Sequence, residues 1–331
     1  MRRVKVIFGR SMRMSWIFFA TFVLQGPLLI VGKYLPRYFD YIFFVYPGEK
    51  RDMRGVVPYW FSRYKYFRTK IFIGGIVTNS EEGFVGRGLI VGAPSTTDSM
   101  LSSREEVLAL QRNLQKFAQS LSVTAIAIAG RGPSIFVHHK IELDKPFVYG
   151  RRGMVFCTVE TLRAVSAKHD LSLREQKIVI FGGGYVGKAI GRFLQSQDCS
   201  VKTITARSIL QNRLAMRDKD LCLLREADIV IVISARGSDI YPYMKDLKQG
   251  VIIIDDTHPR IIRKLKQGHL YRAALCLKGV KFTPPLPVYG KESIPGCAVE
   301  AMTQAVYGHS IRTQQSFNEK ARRIGFVVYG I

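Results

Sequence analysis

The chain lacks the cysteine patterns that staple a fold or bind zinc. Its five cysteines, Cys157, Cys199, Cys222, Cys276 and Cys297, are odd in number and never form C-x-x-C. This argues against a disulfide framework and a zinc site, and reduced thiols point to a cytosolic compartment. The histidines add no ligand spacing, since the neighbours His138 and His139 point to opposite sides of a strand if they lie in one, so no metal is expected. Repeats and low-complexity tracts are missing too, and a composition of 47% hydrophobic and 23% charged residues is globular rather than disordered. Acidic residues are scarce. Against 25 Asp+Glu stand 50 Lys+Arg, a net charge of +25, which draws the protein toward anionic lipid or nucleic acid. The excess is densest in residues 1–70, which hold 14 basic and 3 acidic residues.

From Met14 to Gly32 there is no charge at all. The stretch is at the lower limit for a membrane span and too long for a signal-peptide core, and no small-residue cleavage site follows it. Both flanks are basic, and Gly26-Pro27 interrupts a helix midway. A span and a buried helix and strand remain open, but attachment to anionic lipid of the inner membrane leaflet fits best. The Tyr-Lys-Arg run over 59–70 comes with no recognition motif, so no specific nucleic acid is expected.

What is present reads as α/β. Tyr41–Tyr46 is a strand ending at Pro47-Gly48, Ile71–Val77 another, and Val123–Ala129 a third. Ser102, with Glu105 three residues on, reads as a capping box for the helix that feeds this third strand. Gly130-Arg131-Gly132-Pro133-Ser134 follows as a loop before Ile135–Val137 resumes apolar character, and Tyr149-Gly150-Arg151-Arg152-Gly153 reads as a second basic loop. The two loops are either a surround for a substrate headgroup or plain turn chemistry. A helix over Thr158–His169 closes this part.

The strand Lys177–Phe181 runs directly into Gly182-Gly183-Gly184-Tyr185-Val186-Gly187 and then a helix, the setting in which G-x-G-x-x-G binds a dinucleotide. Gly182 permits the turn, Gly184 lets pyrophosphate approach the backbone, and Gly187 lets helix and strand pack; Tyr185 and Val186 open the helix. After the next strand, Val201–Ala206, an NAD enzyme would carry an acid for the ribose. None occurs between Asp198 and Asp218. Ala206, Arg207 and Ser208, with Arg213 beyond, suit a 2′-phosphate, so NADP (NADPH) is the expected cofactor. Ala227–Ser234, Val251–Asp255 and finally Val280–Phe282 continue a doubly wound parallel sheet. Its carboxyl ends single out Ser234-Ala235-Arg236-Gly237, of which Ser234 and Ala235 are read as cofactor contacts, and Asp256-Thr257-His258-Pro259.

Cys297 falls in the first turn of a helix starting near Gly296, where the helix dipole favours a thiolate; it is either a nucleophile or one more buried cysteine. From about Ile42 onward the order of features resembles the long-chain acyl-[acyl-carrier-protein] reductases, fatty aldehyde-forming enzymes within the wider shikimate-dehydrogenase-like NADP group. The similar parts are Leu114–Phe136 with its Gly130 loop, the Gly182 fingerprint, Ala206-Arg207-Ser208, Ile254–Pro259 and Gly296-Cys297-Ala298-Val299-Glu300-Ala301-Met302. The resemblance implies that Cys297 takes the acyl group of an acyl-carrier-protein or CoA thioester and that NADPH releases it as an aldehyde. His258 is then a candidate proton donor, and Glu300, one turn from Cys297, either orients it or is solvated. Two other readings stay open: a non-covalent NADP dehydrogenase, for which Lys140 and Asp144 are candidates, and a non-enzymatic membrane- or nucleic-acid-associated Rossmann protein.

The expected organisation is a membrane-attachment segment over 1–40, a substrate (acyl) domain over 41–170, a Rossmann domain over 171–295, and a C-terminal helical segment over 296–331 that packs back on the substrate domain. The expected location is the cytoplasm, at the inner membrane face.

Overall fold

The run Tyr41-Ile42-Phe43-Phe44-Val45 offers water no polar face, so it is stable only as a strand covered on both sides. In the computed structural model, which describes Pro27 and residues 38–48, 65–81, 85–205, 218–286, 289–290 and 292–331, it is β1 (Tyr41–Val45), and its first four residues are buried. The chain then forms a one-turn helix α1 (Lys65–Arg68), β2 (Phe72–Asn79), β3 (Gly88–Gly92), α2 (Thr97–Ser102), α3 (Arg104–Ser120), β4 (Ala125–Ile128), α4 (Gly132–His138) and β5 (Phe147–Val148). Helix α3 turns Val107, Leu110, Leu114, Phe117 and Ala118 onto the core built on Phe44, Leu89, Ile126 and Phe136.

Next come α5 (Arg151–Lys168), β6 (Ile178–Phe181), α6 (Tyr185–Gln195), β7 (Val201–Ile204), α7 (Asp218–Glu226), β8 (Ile229–Val232), β9 (Val251–Asp255), β10 (Gly268–Arg272) and β11 (Leu275–Cys276). The last elements are β12 (Val280–Thr283), α8 (Gly296–Tyr307), α9 (Gln314–Ile324) and β13 (Val327–Val328). The chain falls into two compact units. Unit 1 holds residues up to Gly150, Lys278–Glu292 and Cys297–Ile324; unit 2 holds Arg151–Leu277, Ser293–Gly296 and Gly325–Ile331.

Unit 1 carries a six-stranded sheet in the order β12-β2-β3-β1-β4-β5. β1, β3, β4 and β5 run parallel, and β2 and β12 form an antiparallel margin. Unit 2 carries a fully parallel sheet, β10-β9-β8-β6-β7. From β6 the chain moves outward to β7, then returns across β6 to β8, β9 and β10. With right-handed crossovers this reversal puts helices on both faces, the doubly wound Rossmann arrangement. β11 and β13 form a small antiparallel ribbon in unit 2.

Several elements differ from their sequence reading. Val280–Thr283 is not the last Rossmann strand but pairs antiparallel with β2 in unit 1. Its alternation of buried Val280 and Phe282 with exposed Lys281 and Thr283 is that of a half-covered margin strand. Phe282 meets Phe43 edge-on at 6.4 Å. The fifth Rossmann strand is instead β10, whose Gly-His-Leu-Tyr-Arg sequence carries no apolar run. Ile135–Val137 lies in helix α4, with Pro133 in its first turn, rather than in a strand. The cap of α3 is Ser103, which accepts from the Glu106 amide, while Ser102 ends α2. Arg151-Arg152-Gly153 is helix, not loop, so α5 begins seven residues earlier than read and groups with unit 2. A methyl at Gly296 would stand 2.9 Å from the Gly153 carbonyl oxygen and 2.8 Å from the Met154 Cα, so small residues on both sides let these backbones pack.

Among the described residues no helix is long and apolar enough to cross a membrane. The Met14–Gly32 stretch lies outside them except for Pro27.

Candidate functional site

Each sheet brings chemistry to its carboxyl edge. In unit 2 the fingerprint loop leaves β6 at the point where the strand order reverses. Gly182 has φ +135°, closed to other residues, and a methyl there would stand 2.6 Å from the Ile233 carbonyl oxygen and 2.9 Å from the Ser234 amide nitrogen. A methyl at Gly187 would overlap the Gly182 carbonyl oxygen. Gly184 differs from both, because a methyl added there meets nothing within 4 Å. Gly184 is also the N-cap of α6 and makes no side-chain cap bond. Two of the glycines are thus closed in by protein, and the third faces open space above a helix start that no side chain caps. That combination suits the pyrophosphate of a dinucleotide.

Tyr185 and Val186 open α6, and the Arg151 guanidinium lies 4.9 Å over the Tyr185 ring. Ser234 and Ala235 follow β8, with the Ser234 backbone against Gly182, so these members of the expected cofactor set do come together. Ala206, Arg207, Ser208 and Arg213 lie outside the described residues.

The loop after β9 is organised by Asp255, which is 2% exposed. Its carboxylate accepts from the Thr257 amide at 3.0 Å, the Ile261 amide at 2.8 Å and Arg272 Nη1 at 3.1 Å, and also from the Thr257 hydroxyl. Its neighbour Asp256 accepts from Thr158 Oγ1 of α5 at 2.9 Å. Burial pushes the Asp256 carboxyl up to about 7, with Asp255 adding to the shift and Arg272 and Thr158 opposing it. The loop read as a source of a proton donor thus holds its shifted acid at Asp256, while His258 is exposed.

In unit 1, β1 stands where the chain reverses: β3 lies on one side of it and β4 on the other. Tyr46 follows β1 directly. Its ring stacks on Phe44 at 5.9 Å and packs on the unit 1 core. Burial raises the Tyr46 pKa well above that of an ordinary tyrosine, with a contribution from Cys297 in the same direction. Burial is opposed at its oxygen by Arg131, after β4, and Thr97, after β3.

Cys297 is 8% exposed, in the first turn of α8. It lies against the end of β5, where a methyl at Gly150 would stand 2.9 Å from the Cys297 Cβ; Gly150 has φ +68°. Glu300 is buried one turn along α8, which removes the solvated alternative for it. Cys297 and Glu300 therefore share unit 1 with Tyr46, Thr97 and Arg131, while His258 belongs to unit 2. Lys140 and Asp144 are both exposed, and Asp144 precedes β5, at the opposite edge of the sheet.

Tyr46, Thr97 and Thr158 were not singled out from the sequence, and Asp256 was singled out only as one residue of a loop. A signal for Tyr46 existed, namely its place at the carboxyl end of a fully apolar strand. Asp256 lay in the loop already flagged after β9, but its Thr158 partner is 98 positions away.

No protein-family model matches the chain, and no curated protein matches it in sequence. Among solved structures it is similar to the bifunctional methylenetetrahydrofolate dehydrogenase/cyclohydrolase FolD of Campylobacter jejuni, with 13% identity, 90% of this chain and 94% of that chain covered, and a TM-score of 0.33. It is also similar to the malic enzyme of Entamoeba histolytica, with 10% identity, coverage of 93% and 74%, and a TM-score of 0.48. The Leu-bound hetero-hexameric glutamate dehydrogenase of Thermus thermophilus matches at 12% identity, coverage of 87% and 74%, and a TM-score of 0.42. Similarities of this size carry no substrate from those enzymes to this chain.

Asp256 makes stability depend on pH. Its folded pKa of about 7 lies above the ordinary carboxyl value of 3.8, so the folded state holds a proton that the unfolded state releases. Its contribution therefore falls as pH rises from about 4 to about 7 and is level above that. Asp256→Asn should remove this decline, seen as a gain in thermal midpoint over wild type that grows from pH 5 to pH 8. Parallel pH profiles for the two proteins would refute the assignment.

Proposed function

We propose that this protein is an NADPH-dependent oxidoreductase that converts a long-chain acyl thioester, of acyl-carrier protein or CoA, to an aldehyde through a thioester on Cys297. The observation that carries the reading is the position of Cys297. It lies in the first turn of α8, the helix end at which negative charge on sulfur is favoured, against Gly150 at the carboxyl edge of a parallel sheet. The resemblance of the Gly296–Met302 segment and the Gly130 loop to acyl-carrier-protein reductases supports the same role.

The cofactor would be held by the Gly182–Gly187 turn, the start of α6 and Ser234-Ala235. Arg207, Ser208 and Arg213 take the 2′-phosphate in this reading, supported by the lack of an acid between Asp198 and Asp218. NADPH supplies the hydride. The chain's part is to present a nucleophile and bind the acyl carbonyl with Cys297 and its neighbours, while Glu300, buried one turn away, orients the first turn of α8. His258 remains a candidate proton donor from the loop after β9. The non-covalent alternative gains no support from Lys140 and Asp144, which stand exposed with Asp144 at the far edge of the sheet. The basic, apolar N-terminal stretch suits attachment to anionic lipid at the cytoplasmic face, near long-chain substrates.

Two measurements test this reading. Gly184→Ala should change folding stability by no more than about 1 kcal/mol, because the added methyl meets no protein atom. It should weaken NADPH binding by roughly tenfold or more, because that methyl occupies the approach to the backbone. Equal NADPH affinity in the variant would mean that the turn does not hold the cofactor. With palmitoyl-CoA and NADPH, Cys297→Ser should lose aldehyde formation by roughly 10³-fold or more while still binding NADPH. Aldehyde formed by the variant at near the wild-type rate would exclude the covalent route.

A further inference from the structure

The segment that joins β9 to β10 carries charge of one sign. No acid occurs between Asp256 and Glu292, while Arg260, Arg263, Lys264 and Lys266 crowd into residues 260–266, all four of them exposed. Among the described residues none of the four is paired with an acid, and the buried Asp255 is already held by Arg272 and by the backbone of the segment. Two apolar side chains clip the segment to unit 2. Ile261 is buried in the core with Val230 and Ile253, and Leu265 packs against the same core. Between them Ile262 is 80% exposed.

A single exposed apolar residue is ordinary on a protein surface. Ile262 differs because the backbone on both sides of it is fixed. The Ile261 amide donates to Asp255 Oδ2 at 2.8 Å, and the Ile262 and Arg263 amides donate to the Tyr241 hydroxyl oxygen at 2.9 and 3.2 Å. The Arg263 guanidinium lies 6.0 Å from the centre of the same Tyr241 ring. Upstream, the Pro259 carbonyl accepts from the Gly237 amide at 2.8 Å, and a methyl at Gly237 would overlap the Ile261 backbone. Turning Ile262 inward would break these bonds, so the fold presents an isoleucine to the outside among four cations.

We propose that residues 260–266 form a membrane-contacting surface of unit 2, which lays Ile262 into the headgroup layer of an anionic bilayer and sets Arg260, Arg263, Lys264 and Lys266 on the lipid phosphates. A bilayer interface satisfies both halves of the pattern, because it takes an apolar side chain just below the level at which cations meet phosphate. Nucleic acid would satisfy the cations but offers the isoleucine only a charged backbone. A second copy meeting this surface with its own would bring like charges together. The inference goes beyond the reaction proposed for Cys297 and does not rest on it. It is also distinct from attachment through the N-terminal stretch, and the experiment reads lipid contact at residue 262 itself.

The test is quenching of a single tryptophan in the full-length protein by vesicles with brominated acyl chains. Trp16→Phe and Trp60→Phe remove the native tryptophans, and Ile262→Trp supplies the probe. In a parallel protein Val137→Trp places the probe on α4 of unit 1, at a residue 52% exposed. With vesicles of phosphatidylcholine and phosphatidylglycerol in equal parts, the Ile262→Trp probe should be quenched and the Val137→Trp probe should not; phosphatidylcholine alone should quench neither. Adding Arg263→Gln, Lys264→Gln and Lys266→Gln should cut the quenching by roughly fivefold or more at the lipid concentration that half-quenches the parent. Protein that sediments with the vesicles while its residue 262 probe stays unquenched would overturn the proposal and leave attachment to the N-terminal stretch; protein that neither sediments nor is quenched would overturn both. Equal quenching at the two probes, on neutral vesicles, or after loss of the three charges would also overturn it. An emission shift of the residue 262 probe with duplex DNA but not with vesicles, or with rising protein concentration alone, would overturn it in favour of nucleic acid or of a second copy. Acylation of Cys297 enters none of these readouts, so failure here is distinguishable from failure of the thioester chemistry.

Discussion

Parallel strands can be joined only by crossovers that pass over a face of the sheet, and this constraint gathers their carboxyl ends along one edge. Both units obey it, and both reverse their winding at their first parallel strand. At β6 the reversal leaves the Gly182 turn with the residues after β7 and β8 beside it: a methyl at Gly183 would meet Thr205 Oγ1 at 2.5 Å, and one at Gly182 would meet Ser234. At β1 the same topology leaves Tyr46 at a strand end flanked by β3 and β4. One unit thus presents backbone suited to an anion, and the other presents a thiol, Cys297. Reduction of a carbonyl held on sulfur needs both kinds of group.

Buried polar groups hold these edges in shape. Asp255 gathers two amides, a hydroxyl and a guanidinium, so the loop after β9 is built on a satisfied carboxylate. Removing such a group costs about 3 kcal/mol or more, because its partners are left unpaired. Asp256, the next residue, has fewer partners and a raised pKa. Adjacent acids thus have separate parts: Asp255 fixes the loop, and Asp256 holds a proton near neutrality.

Much of this was legible in the sequence where one signal sufficed. β1, β4, β6, β8 and β9 are continuous apolar runs, and the glycine fingerprint follows its strand without a gap. β3 escaped notice although it is fully buried, because it is a five-residue run with glycine at each end. Those glycines are explained only in three dimensions, where methyls would overlap the rings of Tyr41 and Phe72. β10 escaped because a strand at the sheet margin needs no apolar pattern, and Val280–Thr283 was seen but given to the wrong sheet, since pairing partners leave no local trace. Cys297 and Glu300 were legible as a helical pair. Tyr46 was legible only as the end of a strand.

The central proposal is that Cys297 carries an acyl group that NADPH converts to an aldehyde. The direct measurement is a chase: protein acylated by palmitoyl-CoA is isolated free of excess thioester, its adduct is mapped to Cys297, and NADPH is then added. The account predicts that the adduct mass disappears and that the acyl chain is recovered as aldehyde. An adduct that persists with NADPH bound, or that is released only as free fatty acid, would contradict it.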